Sequence, residues 1–428
     1  MKTFYLFSLG CKVNSYENSA VGQELIAQGF APVEDPKKAD VILLNTCSVT
    51  ATADQKSRQH ISKFRKEAPS AVLVVMGCFS QKHAEIALSL GANIVLGAAK
   101  RSEVYAAIER YQTSGTSFSD VKDSLRHENY EELGVNAFTE ATRAYLKIQD
   151  GCDNFCSYCY IPTLRGNSRS RAPLEVIKEA ESLVKAGHYP EIIIAGIHIG
   201  GYGKDLGDGS YRLADLLKDI LTACPELMRL RISSIEESEI DSKFLALLKD
   251  YPQVVDHLHI PLQSGSSSVL KRMRRKYDTA AFLTKLQAIR AVRPSIAITT
   301  DVIAGFPLES DEEWAETMDF CRKAQFAEIH VFPFSSRPGT YAASLPDTDP
   351  KVKKARVHEL LDLSQTLRES YEKRFYGQAL EVLYESFDPK TGYAYGHTSN
   401  YLLVKTPSDH PRHGEVEKVV YGPKTVAD

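Results

Sequence analysis

Long apolar runs are missing from this chain of 428 residues, and so is a strong charge of either sign, since 52 lysines and arginines stand against 55 aspartates and glutamates. The first absence excludes a helical membrane span, which needs about 20 consecutive apolar residues. The second argues against indiscriminate nucleic-acid binding, though not against local basic patches. Cysteine is scarce as well: the eight present are too sparse for a disulfide framework. Kept reduced, they read as metal ligands or catalytic groups. The opening stretch Phe4 to Leu9 lacks a small-residue cleavage site and reads as a β-strand rather than a signal peptide, so a cytoplasmic location with no membrane partner is expected.

Three of the cysteines are crowded together. Cys152, Cys156 and Cys159 form a C-x3-C-x2-C pattern directly after the apolar run Tyr145 to Gln149. Three thiolates this close can hold three irons of a 4Fe-4S cluster and leave the fourth open to a ligand, whereas electron-transfer ferredoxins close all four corners with protein sulfur. Structural zinc, the competing use of such thiols, wants four nitrogen or sulfur ligands per site.

The chain divides into four stretches. Over residues 1–111, apolar runs (Thr3 to Ser8, Val41 to Leu44, Val72 to Met76, Ile94 to Leu96) alternate with amphipathic segments, the pattern of an open parallel α/β sheet. Cys11, Cys47 and Cys78 each follow one of these runs, and ligands sit at the carboxyl ends of such strands, so a second three-cysteine cluster site is expected there. Residues 112–143 are polar and read as a linker or surface segment. Residues 144–367 alternate again, with strands at Tyr145 to Gln149, Glu191 to Ala195, Arg229 to Ser233, His257 to Pro261, Ala297 to Ile303 and Glu328 to Phe332, which fits a partial (β/α)6 barrel with its site on the loops after the strands. Residues 368–428 show short runs (Ala379 to Tyr384, Tyr401 to Lys405, Glu415 to Val420) between Gly and Pro turns, the signature of a small β-barrel. Cys224 and Cys321 lie in apparent helices and read as buried thiols. His257 and His259 share a strand face but no further ligand completes a site in the sequence, so both read as structural, while His198 is a weak pocket candidate.

The cysteine motif at the first strand of a six-unit barrel resembles the radical S-adenosylmethionine superfamily, and the three dispersed cysteines before it resemble its methylthiotransferase branch. The segments Leu9 to Asn14, Asn45 to Thr50, Gly151 to Cys159, Arg165-Gly166, Arg231 to Glu236, His259 to Gly265 and Val269 to Tyr277 carry the likeness across essentially the whole chain. Cys11-Lys-Val-Asn14, the Val-Thr after Cys47 and the Lys271 to Lys276 run are most similar to the subfamily acting on N6-threonylcarbamoyladenosine in tRNA. The final barrel, residues 368–428, resembles a TRAM domain, with Gly396 to Tyr401 as its best-matching stretch. The resemblance implies two 4Fe-4S clusters and S-adenosylmethionine as cofactors: the cluster on Cys152, Cys156 and Cys159 would generate a radical, and the one on Cys11, Cys47 and Cys78 would deliver sulfur to carbon 2 of the adenine. An unactivated C–H bond suits such cofactor-borne radical chemistry. The implied partners are the tRNA anticodon stem-loop, a flavodoxin-like or ferredoxin-like electron donor and a sulfur source. Alternative targets are isopentenyladenosine in tRNA or a ribosomal-protein aspartate. A non-enzymatic iron-sulfur RNA-binding sensor is the remaining alternative.

By the same resemblance, Tyr158, Gly196, Ser234, Glu236, Gln263 and Asp301 contact S-adenosylmethionine. Where the family commonly has Gly after Gly-Phe-Pro, this chain has Leu308. Positive charge for RNA is expected from Arg272, Arg274, Arg275 and Lys276 on the rim after the fourth barrel strand, and from Arg165, Arg169 and Arg171. The terminal barrel is not basic, with eight Lys and Arg against nine Asp and Glu from Thr366 onward, so stacking by Tyr393, Tyr395, His397 and Tyr401 is its expected contribution.

Overall fold

The structure is a computed structural model that describes residues 2–123, 129–135, 142–185 and 189–427. Its first sheet contains β1 (Thr3–Ser8), β2 (Ala31–Pro32), β3 (Val41–Thr46), β4 (Val72–Gly77), β5 (Ile94–Leu96) and β6 (Phe118–Asp120), in the order β2-β1-β3-β4-β5-β6. All five pairings are parallel. Strands β3 and β5 are buried throughout, which is why they read as unbroken apolar runs. One face packs Phe4, Leu43 and Val74 against Leu25 and Ile108, and the other packs Ile42, Leu44 and Val75 against Ile61, Phe64 and Phe79. Register places Ser8 beside Asn45 and Asn45 beside Met76, so the chain leaves β1, β3 and β4 at one edge.

The segment expected to be a linker is partly built into the fold. Strand β6 extends the first sheet, Val135 is buried in the barrel core, and the Tyr130 hydroxyl donates to the Lys147 carbonyl at 3.1 Å. Its residues 124–128 and 136–141 lie outside the described residues.

The central part begins with β7 (Arg143–Lys147) and a short antiparallel pair, β8 (Gln149–Asp150) with β9 (Arg169–Ser170). Five strands follow: β10 (Glu191–Ala195), β11 (Arg229–Ile232), β12 (His257–His259), β13 (Ala297–Ala304) and β14 (Glu328–Pro333). They form two parallel three-stranded sheets, β7-β10-β11 and β12-β13-β14, joined where the Ile235 amide donates to the His259 carbonyl at 3.0 Å. This is the expected six-unit partial barrel. Alternate residues face opposite sides of each strand. Leu146, Ile192, Ile194, Leu230, Ile232, Leu258, Ile298 and Ile329 go outward under the helices, leaving a polar set for the lumen.

The helix Pro350–Lys373 passes through position 367 and leads into an antiparallel sheet of β15 (Ala379–Asp388), β16 (Tyr393–Thr398), β17 (Leu403–Pro407) and β18 (Val416–Val420), ordered β17-β16-β15-β18. A Val404–Val426 bridge brings the end of the chain back to β17, giving a half-barrel. It seats on the start of the barrel strands: Arg229 donates to the Glu381 and His397 carbonyls, and Arg143 pairs with Glu385. Among the described residues no helix is long and apolar enough to cross a membrane.

One helix joins the first two parts. Helix α1 (Lys12–Ala27) starts directly after Cys11 and buries Val13, Tyr16 and Leu25 together with the polar Asn14, Glu17 and Asn18, because it lies between the first sheet and β7.

Candidate functional site

Cys11 is the N-cap of α1, in an extended conformation with no side-chain cap bond, and is exposed. Cys47 follows β3 by one residue, and Cys78 follows β4 at the first position of the helix Cys78–Lys82. The loops carrying Cys11 and Cys47 touch. A Cβ on Gly10, whose φ is +105°, would lie 2.9 Å from the Cys47 Cβ, so only glycine allows the approach. The three thiols therefore converge at the edge expected, where Cys11 disfavours ionisation of Cys47, and Cys47 and Cys11 disfavour that of Cys78. Burial pushes the Cys78 thiol up to about 11, with the Arg165 guanidinium pulling the other way.

Cys152, Cys156 and Cys159 lie half-buried between β8 and the helix Ile161–Arg165. Burial raises Cys152 to about 11 and Cys159 to about 12. Such thiols hold a proton at neutral pH that must leave when they ligate a metal, because the thiolate is the ligand. The first group is packed onto the helix that follows the second. Cys78, 4% exposed, packs with Tyr160 and Leu164, and Tyr160 is the residue after Cys159.

A buried charge cluster locks this junction. Glu17, 1% exposed, accepts from Arg101 (2.7 Å), Lys147 (2.9 Å) and Arg165 (2.8 Å), which come from three different segments. Arg165 also donates to Asn14 at 2.8 Å and to Asp150 at 3.1 Å, and Asn14 in turn donates to the Leu9 and Thr46 carbonyls beside the first cysteine group. Arg165 is thus internal rather than a phosphate contact. Arg171 is also buried, paired with Glu179 at 2.7 Å and with Glu132, and Arg169 bonds the Arg165 and Asn167 carbonyls. A charge run read along the sequence carries no sign of carboxylates that arrive from distant segments.

The residues expected around S-adenosylmethionine are gathered near the second cysteine group. Tyr158 packs against the apolar set of Val269, Met273, Phe306, Phe334 and Ala342. Glu236 accepts from Arg275 at 2.9 Å and has His198 at 3.9 Å, which brings that weak candidate to the same place. Gly196 follows β10, and a Cβ there would stand 3.1 Å from the Gln149 carbonyl oxygen. Ser234 follows β11, and Gln263 sits after β12 with φ 69°, bonded through its backbone to Asp301 and Ile303. Leu308 adopts the left-handed conformation that favours glycine, with φ 64° and 55% exposure.

The basic run divides. Arg275, 4% exposed, donates to the Cys156 sulfur at 3.2 Å as well as to Glu236, so it serves the cysteine site and not an RNA surface. Arg272 is clamped by Glu313 at 2.5 and 2.8 Å. Arg274 lies over the Tyr341 ring at 4.8 Å and Lys276 donates to Asn154 at 2.9 Å, both on the outside. In the half-barrel, Tyr401 is stacked at 4.6 Å on both His257 and His397, which occupies the faces expected to stack on bases.

The lumen holds a grouping that strand spacing alone does not reveal. His257 and His259 both bond Thr299 at 3.0 Å, and the ligand atoms of His259, Asp301 and His330 lie within 4.8 Å of one another. Its members come from β12, β13 and β14, so only the register of those strands assembles it. Asp301, expected beside S-adenosylmethionine, pairs with His259 at 3.2 Å.

Residues 3–97 match a family described as "Uncharacterized protein family UPF0004", and residues 146–321 match the radical SAM superfamily. The chain is 43% identical to the threonylcarbamoyladenosine tRNA methylthiotransferase MtaB of Bacillus subtilis (strain 168), over 98% of this chain and 93% of that protein. It is 35% identical to the protein of that name in Thermotoga maritima (90% and 87% covered), and 32% identical to the tRNA-2-methylthio-N(6)-dimethylallyladenosine synthase of Geobacillus kaustophilus (90% and 73%). Among solved structures it is similar in fold to the radical S-adenosylmethionine methyltransferase TsrM of Kitasatospora setae, with TM-score 0.59 at 14% identity over 80% of this chain and 74% of that one. The cobalamin-dependent radical enzyme OxsB gives 0.53 at 14% identity over 87% and 56%.

Proposed function

The chain belongs to the tRNA methylthiotransferase family of radical S-adenosylmethionine enzymes, and we propose that it replaces the hydrogen on carbon 2 of N6-threonylcarbamoyladenosine, beside the tRNA anticodon, with a methylthio group. The observation that supports this reading is the packing of Cys78 with Tyr160 and Leu164, which ties the loop carrying one of the first three thiols to the helix that follows the second three. A transfer of sulfur to a carbon radical needs two such sites within reach of a single base.

The donor sets fit two 4Fe-4S clusters, one on Cys11, Cys47 and Cys78 and one on Cys152, Cys156 and Cys159, since each supplies three free thiols and leaves a corner open. Loaded, and with S-adenosylmethionine bound, they supply the one-electron chemistry and the sulfur that an unactivated adenine C–H bond demands. The protein's own groups hold the geometry. Arg275 ties the Cys156 sulfur to Glu236, and Arg165 fixes the first cysteine group to the barrel through Asn14 and Glu17. Tyr158, Gly196, Ser234, Glu236 and Gln263 then bound the S-adenosylmethionine site from the ends of successive strands. RNA is met by Arg274 and Lys276 on the rim and by the half-barrel, which we read as a TRAM domain. A flavodoxin-like or ferredoxin-like electron donor and a sulfur source complete the cycle in the cytoplasm.

The test is anaerobic reconstitution of the two triple alanine variants. The wild type should carry about eight iron atoms, and alanine at 152, 156 and 159 should leave about half of them and abolish 5′-deoxyadenosine formation. Alanine at 11, 47 and 78 should also leave half, keep that cleavage and yield no methylthio product. Zinc in place of iron, or cleavage surviving the first triple change, contradicts the proposal.

A further inference from the structure

Few of the cations expected to meet RNA are free to do so. Arg165, Arg171, Arg272 and Arg275 are held by carboxylates and Arg169 by carbonyls, so Arg274 and Lys276 alone of the expected set face outward. The half-barrel adds no net positive charge.

Helix α2 (Ala51–Glu67) supplies what the rim lacks. It carries Lys56, Arg58, Lys63, Arg65 and Lys66 against Asp54 and Glu67. Asp54 is turned inward onto Arg337 at 2.7 Å and Ser48 at 2.5 Å, and Arg65 onto the Gly91 and Pro69 carbonyls. Lys56, Arg58, Lys63 and Lys66 are left exposed, with Glu67 half-buried at 4.0 Å from Lys63. Among the described residues Lys56 and Lys66 have no ion pair and no side-chain hydrogen bond. Arg58, Lys63 and Lys66 border one shallow groove, which the exposed Lys37 joins from the neighbouring turn.

One loop joins this face to the rim of the site. Ser335 Oγ accepts from the Ala51 amide at 3.2 Å, Arg337 pairs with Asp54, and the Tyr341 ring lies 4.8 Å from the Arg274 guanidinium. The Ala342 amide donates to the Ser157 carbonyl at 2.8 Å, inside the second cysteine motif, and Tyr341 is itself exposed. Positive surface therefore starts at Lys276 and Arg274, crosses Tyr341 and continues along α2, where Lys56 and Lys66 are about 15 Å apart at the helical rise. Cys47 precedes the start of α2, so this line of charge runs away from the thiols. An electron carrier docks through one compact face with its cofactor near a cluster, and cations leading away from the cluster add little to that contact. A nucleic-acid backbone whose target base occupies the site must leave along the surface, and each phosphate gains from a cation on its way. Resting on the function proposed above, we propose that Lys56, Arg58, Lys63 and Lys66 form a phosphate track, on which the stem of the substrate RNA lies while its loop presents the base.

The experiment measures binding across a range of salt. Full-length, anaerobically reconstituted enzyme is titrated with an anticodon stem-loop and with the unpaired loop strand alone. In the fourfold variant Lys56→Gln, Arg58→Gln, Lys63→Gln and Lys66→Gln, the slope of log K against log salt for the stem-loop should fall by about three to four, since each neutralised phosphate contributes roughly 0.9. Iron content, 5′-deoxyadenosine formation without RNA and binding of the loop strand should stay near wild type. Lys56→Arg, Lys63→Arg and Lys66→Arg together should keep the slope. Each single glutamine change should remove about one unit, which keeps the test open should the fourfold variant lose iron. An unchanged slope makes this face merely solvated and overturns the inference. So does a slope that falls as far for the loop strand, or an unchanged slope with cleavage slowed under reduced flavodoxin but not under dithionite, which would give the track to the electron donor. Wild-type enzyme that binds the stem-loop yet leaves its nucleoside unmodified in a full assay defeats the parent reading instead.

Discussion

Arg275 and Lys276 are adjacent in sequence, yet the first is turned inward onto Cys156 and Glu236 while the second is held at the surface by Asn154. Their substitutions should therefore separate. Lys276→Ala should lower the salt dependence of stem-loop binding by about one unit of slope and leave the clusters intact. Arg275→Ala should leave that slope alone but alter the electron paramagnetic resonance of the reduced cluster and slow S-adenosylmethionine cleavage. Salt-dependent binding and spectroscopy on both variants check this, and the reverse pattern contradicts it. The sequence shows both residues as members of one cationic run, because burial depends on Glu236, which arrives from the end of another strand. The six cysteines were legible for the opposite reason: thiol spacing and position after a strand are local properties.

At the scale of elements, α1 carries the heaviest electrostatic load. Glu17 is surrounded by Arg101, Arg165 and Lys147, and these cations hold its carboxyl well below the usual range against the opposing effect of burial. Glu17→Ala would leave the buried Arg101 without a carboxylate and Arg165 and Lys147 with Asp150 alone, with an expected loss of about 3–5 kcal/mol of stability. The sign of the pH dependence follows from the lowered value. A depressed carboxyl contributes stability fully above its unfolded pKa of 4.5 and loses it as pH falls below that. Thermal unfolding of the wild type should therefore weaken on acidification below about pH 4.5, and the Glu17→Ala protein should show a shallower decline. Equal slopes would contradict the assignment. The helix itself was not singled out in the sequence, since its apolar and polar residues are buried alike and leave no clean stripe. Strand β16 escaped for another reason. Gly396 within it reads as a turn, but a Cβ there would come 2.2 Å from the Leu383 carbonyl oxygen, so the glycine serves close pairing with β15. Strands β3, β4 and β5 were readable because buried parallel strands are continuous apolar runs.

On the scale of the whole molecule, the first sheet, the partial barrel and the half-barrel are joined where function needs them. The first sheet brings Cys11, Cys47 and Cys78 to the barrel, and the half-barrel seats on the barrel's opposite end through Arg229, Arg143 and Tyr401. The reaction class could be read from cysteine spacing and family likeness. The most direct measurement is mass spectrometry of nucleosides from the tRNA of a strain lacking this gene. The account expects 2-methylthio-N6-threonylcarbamoyladenosine to vanish, its unmethylthiolated precursor to accumulate, and the isopentenyl counterpart to persist. Persistence of the threonylcarbamoyl product, or loss of the isopentenyl one in its place, would contradict it.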